Sequence, residues 1–145
     1  MAKLVSNKKA YYHYEIIETY EAGIKLLGTE IKSLRNHGGN LDGAFCKILD
    51  FEMWLLGASI VPYKHGAAFN HEELRDRKLL MHKKEILKIS QKIKEKGLSL
   101  IPLCIYLKKN IAKIEIALVR GKKKYDKRHA IKEREEKRRI QRITN

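Results

Sequence analysis

The segment from Arg120 to Asn145, RGKKKYDKRHAIKEREEKRRIQRITN, cannot build a core of its own. Its apolar side chains are only Tyr125, Ala130, Ile131, Ile140 and Ile143, too few to bury a face and offset the entropy of ordering 26 residues. Twelve Lys or Arg stand against four Asp or Glu there, so +8 of the chain's +15 falls in this stretch and +7 in the 119 residues before it. Residues 1–119 must therefore supply the folded domain, and a partner must order residues 120–145.

A dense Lys/Arg run with an aromatic, Tyr125, suits a polyanion whose bases can stack, and binding of that kind is salt-dependent through phosphate neutralisation. Nucleic acid is the expected partner. After Tyr125 the pattern turns helical: Asp126 can cap a helix, and Glu133 with Lys137 and Glu135 with Arg139 are favourable i,i+4 pairs. Such pairs add only ~0.2–0.5 kcal/mol each. The expectation is a tail disordered when free that becomes a rod of about 30 Å on its target. The plainer alternative is a solvated, solubilising end.

Of the 145 residues, 43% are apolar, enough for one small core once the tail is set aside. Met1 to Lys9 carries three lysines and no apolar run, so the expectation there is a short mobile basic end without a secretory signal. Met53 to Val61, the longest apolar stretch, is far short of a membrane span. A cytoplasmic protein is expected, with Cys46 and Cys104 as buried thiols rather than a disulfide.

Tyr11 to Tyr20, rich in aromatic and β-branched residues, reads as a strand, and Glu21 to Gly28 as a bent or bulged continuation. Thr29 caps a short helix that sends Lys32 and Arg35 away from its apolar side and stops at Gly38-Gly39. Ala44 to Leu49 and Met53 to Ile60 form a hairpin around Asp50-Phe51-Glu52. Residues 63–76 read as a long surface loop, and Arg77 to Leu80 leads into the clearest helix, His82 to Lys96, closed by Gly97. Leu100 to Leu107, with Pro102 arguing for an edge or bulge, turns through Lys108-Lys109-Asn110 into the half-buried strand Ile111 to Val119. One long helix is inserted before the last hairpin, but no 10 to 15 residue helix separates each successive strand, which disfavours a doubly wound parallel sheet. A mainly β fold follows, a small antiparallel barrel with accessory helices.

Catalytic signals are absent from the sequence. The six histidines form no HExxH or other tight ligand cluster, no nucleophile elbow or glycine-rich phosphate loop occurs, and Glu72-Glu73 read as solvated charge. Neither enzyme activity nor a metal or cofactor is expected. Arg75, Arg77 and Lys78, with Lys83 and Lys84, form a second basic group that reads either as a phosphate-contacting patch or as a solvated face. Glu21, placed between a strand and Ala22-Gly23, can accept hydrogen bonds from base amino groups or cap a turn.

Four strings, EAGIKLLGTEIKSLR from Glu21, RKLLMHKKEI from Arg77, KGLSLIPL from Lys96 and GKKKYDKR from Gly121, together resemble the SsrA-binding protein family, also called small protein B. Their order and spacing match over nearly the whole chain. The resemblance implies an OB-fold-like barrel in a bacterial cytoplasmic protein that binds the tRNA-like domain of transfer-messenger RNA. It further implies delivery, with elongation factor Tu and GTP, to the A site of a stalled ribosome for trans-translation, the tail lying in the decoding centre and vacant mRNA channel.

By position, the resemblance places RNA-binding determinants on Glu21, Leu80 and Lys113, to which charge adds Lys32, Arg35, Arg77 and Lys78. It places the decoding-centre segment on Gly121, Lys122, Lys123, Lys124, Tyr125, Asp126, Lys127 and Arg128. Departures from the family pattern are Gly43 where an Asp is usual, the lack of a proline after Asn70-His71, and Met81 for a leucine. Without the resemblance, a ribosomal or ribosome-assembly protein is the nearest rival, and an RNA-processing enzyme a more distant one that needs an acid/base cluster.

Overall fold

The computed structural model describes residues 2–66 and 70–121, and within them antiparallel strands close into a barrel. The ring runs from β8 (Ser99–Lys108) through β4 (Phe45–Leu49), β5 (Glu52–Leu56), β7 (Arg77–Leu80), β2 (Tyr14–Ile24) and β9 (Ile111–Gly121), which pairs back onto β8. Closure removes most of the sheet edges of a mainly β fold, though β8 pairs with β4 only at Leu100 with Cys46. The β4–β5 hairpin turns on Asp50 (φ 49°) and Phe51 (φ 61°), the β8–β9 hairpin on Lys109 (φ 51°) and Asn110 (φ 64°). Two left-handed residues in a row give each turn the twist its strands need.

The barrel interior is built from alternate residues. Met53 and Leu55 of β5, Leu79 of β7, Ala22 and Ile24 of β2, and Ile114, Ile116 and Leu118 of β9 share one core. Two helices complete it. Leu34 comes from α2 (Gly28–Arg35), and Ile86 and Ile89 from α3 (Lys83–Lys96), whose end is set by Gly97 at φ 62°. Full burial of each such side chain stabilises by about 1.5–3 kcal/mol. Both cysteines are free and buried, and burial pushes the Cys46 thiol up to about 12.

Several expectations are corrected. Ala2–Ser6, expected to be mobile, forms β1 on β8, where Leu4 and Val5 pack against the core. Two apolar residues suffice because β8 supplies a ready edge beyond its contact with β4. Tyr11 to His13 belongs to the helical turn α1 (Ala10–His13), so β2 starts only at Tyr14 and runs on through Ile24. Thr29 does not cap α2; the Leu27 backbone N–H there donates to Glu30 Oε1 at 2.7 Å, while Thr29 Oγ1 lies 2.8 Å from His71 Nδ1. Arg77–Leu80 is a strand. Gly57, at φ 76°, splits the expected Met53 to Ile60 run into β5 and β6 (Ser59–Ile60), which pairs with β3 (Gly39–Asn40).

Pro102 sits in β8 between two neighbours, tolerated because the ladder shifts register between Pro102 and Cys104. The end of β9 is buried on both faces: Ala117 and Val119 join Ala10, Ile101 and Leu103 in a second, smaller cluster outside the barrel. Strict alternation in β9 therefore stops at Glu115.

Candidate nucleic-acid interface

Glu21, Leu80 and Lys113 come from three strands and meet on one outer face. Inward-facing Ala22 and Ile24 leave Glu21 and Gly23 pointing out of the barrel. Gly23 pairs with Leu80 of β7 on one side and with Lys113 of β9 on the other. Strand neighbours in a sheet lie about 4.8 Å apart, so the Leu80 and Lys113 positions flank Gly23 as a tight row. The missing side chain at Gly23 matters: a Cβ there would stand 3.2 Å from Leu80 Cβ, closer than ordinary contact. Leu80 remains 54% exposed, an apolar ledge beside two charges.

A residue absent from the sequence reading completes the group. Tyr106 of β8 reaches across β9, and its hydroxyl donates to Glu21 Oε2. Lys108 Nζ lies 3.5 Å from the other oxygen, Oε1. The Tyr106 hydrogen bond chiefly holds the Glu21 carboxyl below the usual carboxylate range, outweighing the opposing effect of burial, and Lys108 and Lys113 add to it. Burial and the facing carboxylate push the Tyr106 phenol well up. At neutral pH the site thus presents a fixed carboxylate able to accept hydrogen bonds, beside an ammonium able to pair with an anion. The alternation of β8 alone could not single out Tyr106, since all of Ile101 to Tyr106 is buried.

The charge-based additions divide. Lys32 and Arg35 lie exposed on α2, opposite its buried Glu30, Ser33 and Leu34, and Lys32 Nζ stands 5.6 Å from the centre of the Tyr63 ring. Lys78 faces outward, 3.3 Å from Glu52 Oε1. Arg77 is a correction: it has no exposed surface and so is not part of a surface phosphate-contacting patch. Its Nε donates to Glu30 Oε2 at 2.5 Å, and its Nη1 to the carbonyls of Ala58 and Arg75, both at 2.9 Å. In β7 alternate residues point inward, and Arg77 shares the interior side with Leu79. A buried charge must be paired, and Glu30 with the carbonyls pairs it.

Gly121 ends β9, paired with Tyr14. Lys122, Lys123, Lys124, Tyr125, Asp126, Lys127 and Arg128 lie outside the described residues, as does the rest of the tail.

Comparison with known proteins bears on the whole chain. The family model described as SmpB protein matches residues 4–145. An SsrA-binding protein of Protochlamydia amoebophila (strain UWE25) is 55% identical over 138 residues, covering 95% of this chain and 90% of the relative. One from Sulfurihydrogenibium sp. (strain YO3AOP1) is 54% identical over 138 residues, covering 95% of this chain and 91% of its own. Among solved structures, a chain from "tmRNA-SmpB: a journey to the center of the bacterial ribosome" superposes with a TM-score of 0.70 at 42% identity, covering 88% of this chain and 93% of that one. Matching over nearly the full length in both sequence and fold, the chain belongs to the SmpB family, the SsrA-binding proteins.

Proposed function

We propose that this chain is a non-enzymatic adaptor that binds the tRNA-like domain of transfer-messenger RNA and delivers it to the A site of stalled ribosomes, for nascent-chain tagging and ribosome rescue. Family membership over nearly the whole chain carries the reading. The geometry supports it: Glu21, Leu80 and Lys113, three positions the family resemblance marks, stand together on one face although 92 residues separate the first from the last. Structured RNA is gripped there by charge, shape and ribose contacts rather than by reading a long base sequence.

The second surface is the tail, read from the sequence as residues 120–145 although β9 already takes in Arg120 and Gly121, with Tyr125 stacking on a small-subunit RNA base and the lysines from Lys122 to Lys124 neutralising phosphates in the decoding centre. Its +8 charge supports that role. Elongation factor Tu with GTP accompanies the adaptor, and the setting is the bacterial cytoplasm; among the described residues no helix is long and apolar enough to cross a membrane. Pull-down of the tagged protein from its native cells, with sequencing of bound RNA across a salt titration, tests the reading. Enrichment of one tRNA-like, message-bearing RNA far above ribosomal RNA is expected. Ribosomal RNA alone, stoichiometric with subunits, would replace the adaptor with a structural ribosomal protein.

A further inference from the structure

Beside the Glu21 face lies a second arrangement, of which only Lys78 enters the RNA-binding assignment. Trp54, the chain's single tryptophan, points out of the barrel between the buried Met53 and Leu55 of β5. Its two cross-strand partners are both lysines: Lys47 on β4 and Lys78 on β7. Lys47 is exposed, and Lys78 is shared with Glu52 at 3.3 Å. Among the described residues the half-buried indole takes part in no hydrogen bond, ring contact or cation–π pair. Lysines in register on both sides, with no ammonium over the ring, leave an aromatic surface bordered by positive charge. Lys78 and Leu80 alternate on the same side of β7, so this surface runs without a break into the Glu21 site.

We propose that Trp54 is a stacking platform for an unpaired base of the bound RNA, with Lys47 and Lys78 contacting the phosphates on either side of that nucleotide. The inference rests on the RNA-adaptor reading and extends the binding face by two strands, from β7 to β4. An indole stacks on any base because every base offers a π face, so the platform recognises an unpaired nucleotide at a fixed distance from the Glu21 contact rather than a base sequence. Phe45 and Leu49 also face outward on β4, but RNA is favoured over a protein partner because both residues paired with Trp54 across the strands are lysines and the face continues into the Glu21 site.

The single tryptophan makes the test direct. Full-length protein is titrated with a transcript of the tRNA-like domain while indole emission is followed, with a fully paired RNA duplex of equal length as the control. Quenching by the tRNA-like transcript and not by the duplex is expected. Trp54→Leu should weaken binding roughly 5- to 100-fold, the range for loss of one base stack, while Trp54→Phe recovers most of it. Lys47→Ala should lower the slope of log affinity against log salt by about 0.7. Tight binding by wild type with unchanged emission, or Trp54→Leu binding within twofold of wild type, overturns the platform and leaves the adaptor reading standing. Failure of wild type to bind the transcript sinks that reading, and the platform with it.

Discussion

Arg77 Nε and Glu30 Oε2 meet at 2.5 Å with neither side chain exposing any surface, joining β7 to α2 inside the protein. Arg75 adds a second contact to Glu30 Oε1 at 2.5 Å from a partly exposed position. A run that reads as one basic cluster thus splits: Arg77 is interior structure, and its neighbour Lys78 is surface. Removing one partner of a buried pair leaves an uncompensated charge. Arg77→Ala should therefore cost about 3–5 kcal/mol in thermal or urea unfolding. Lys78→Ala, at a pair 38% and 46% exposed, should change stability by under about 1 kcal/mol.

The same pair sets an acid limit. Burial raises the Glu30 carboxyl, but hydrogen bonds from Arg75, the Leu27 backbone N–H and Arg77 outweigh it, so the folded carboxyl sits below its ordinary value. A depressed carboxylate contributes stability that is complete above the unfolded value of about 4.3 and is lost as pH falls through the folded one. Urea midpoints followed downward from pH 7 should show the gap between wild type and Glu30→Gln steady to about pH 5 and closing below it. A gap that widens on acidification would contradict this assignment.

Glu21 and Lys113 are surface groups and should separate binding from folding. Glu21→Gln and Lys113→Ala are each expected to weaken binding of the tRNA-like transcript roughly tenfold or more, the loss typical of a charged hydrogen bond. Their melting temperatures should stay near wild type. Tyr106→Phe should weaken binding in the same direction by freeing the Glu21 carboxylate to move, and calorimetric titration reads all three.

Gly23 tests whether shape matters beside charge. Gly23→Val places a branched side chain where even a Cβ lies 3.2 Å from Leu80 Cβ, so Leu80 must shift. Affinity should fall with charge and salt slope unchanged. Leu80→Ala, from a 54% exposed position, should alter stability by only about 0.5 kcal/mol while also weakening RNA binding.

Truncation after Gly121 keeps every β9 pairing, from Ile111 with Lys108 to Gly121 with Tyr14. The shortened protein should melt like the full chain and bind the free tRNA-like RNA with similar affinity. On stalled ribosomes it should support no tagging. A truncated chain that fails to fold would show that residues 122–145 are not an independent arm.

Local pattern determined much of this protein. The two hairpins, α3 with its Gly97 stop, the α2 face that exposes Lys32 and Arg35, and the inward Ile114, Ile116 and Leu118 follow from periodicity and turn chemistry, which act within a few residues. The family was also legible, because four separated strings carry it. Tertiary structure decided the rest. Whether Arg77 met solvent or Glu30 depended on a partner 47 residues away, and β1 formed because β8 offered an edge. The Tyr106–Glu21 hydrogen bond spans 85 residues and crosses a strand between them. No window of sequence contains such pairs. Ring closure of the sheet brings them together, and burial then fixes which charges become structure and which remain for RNA.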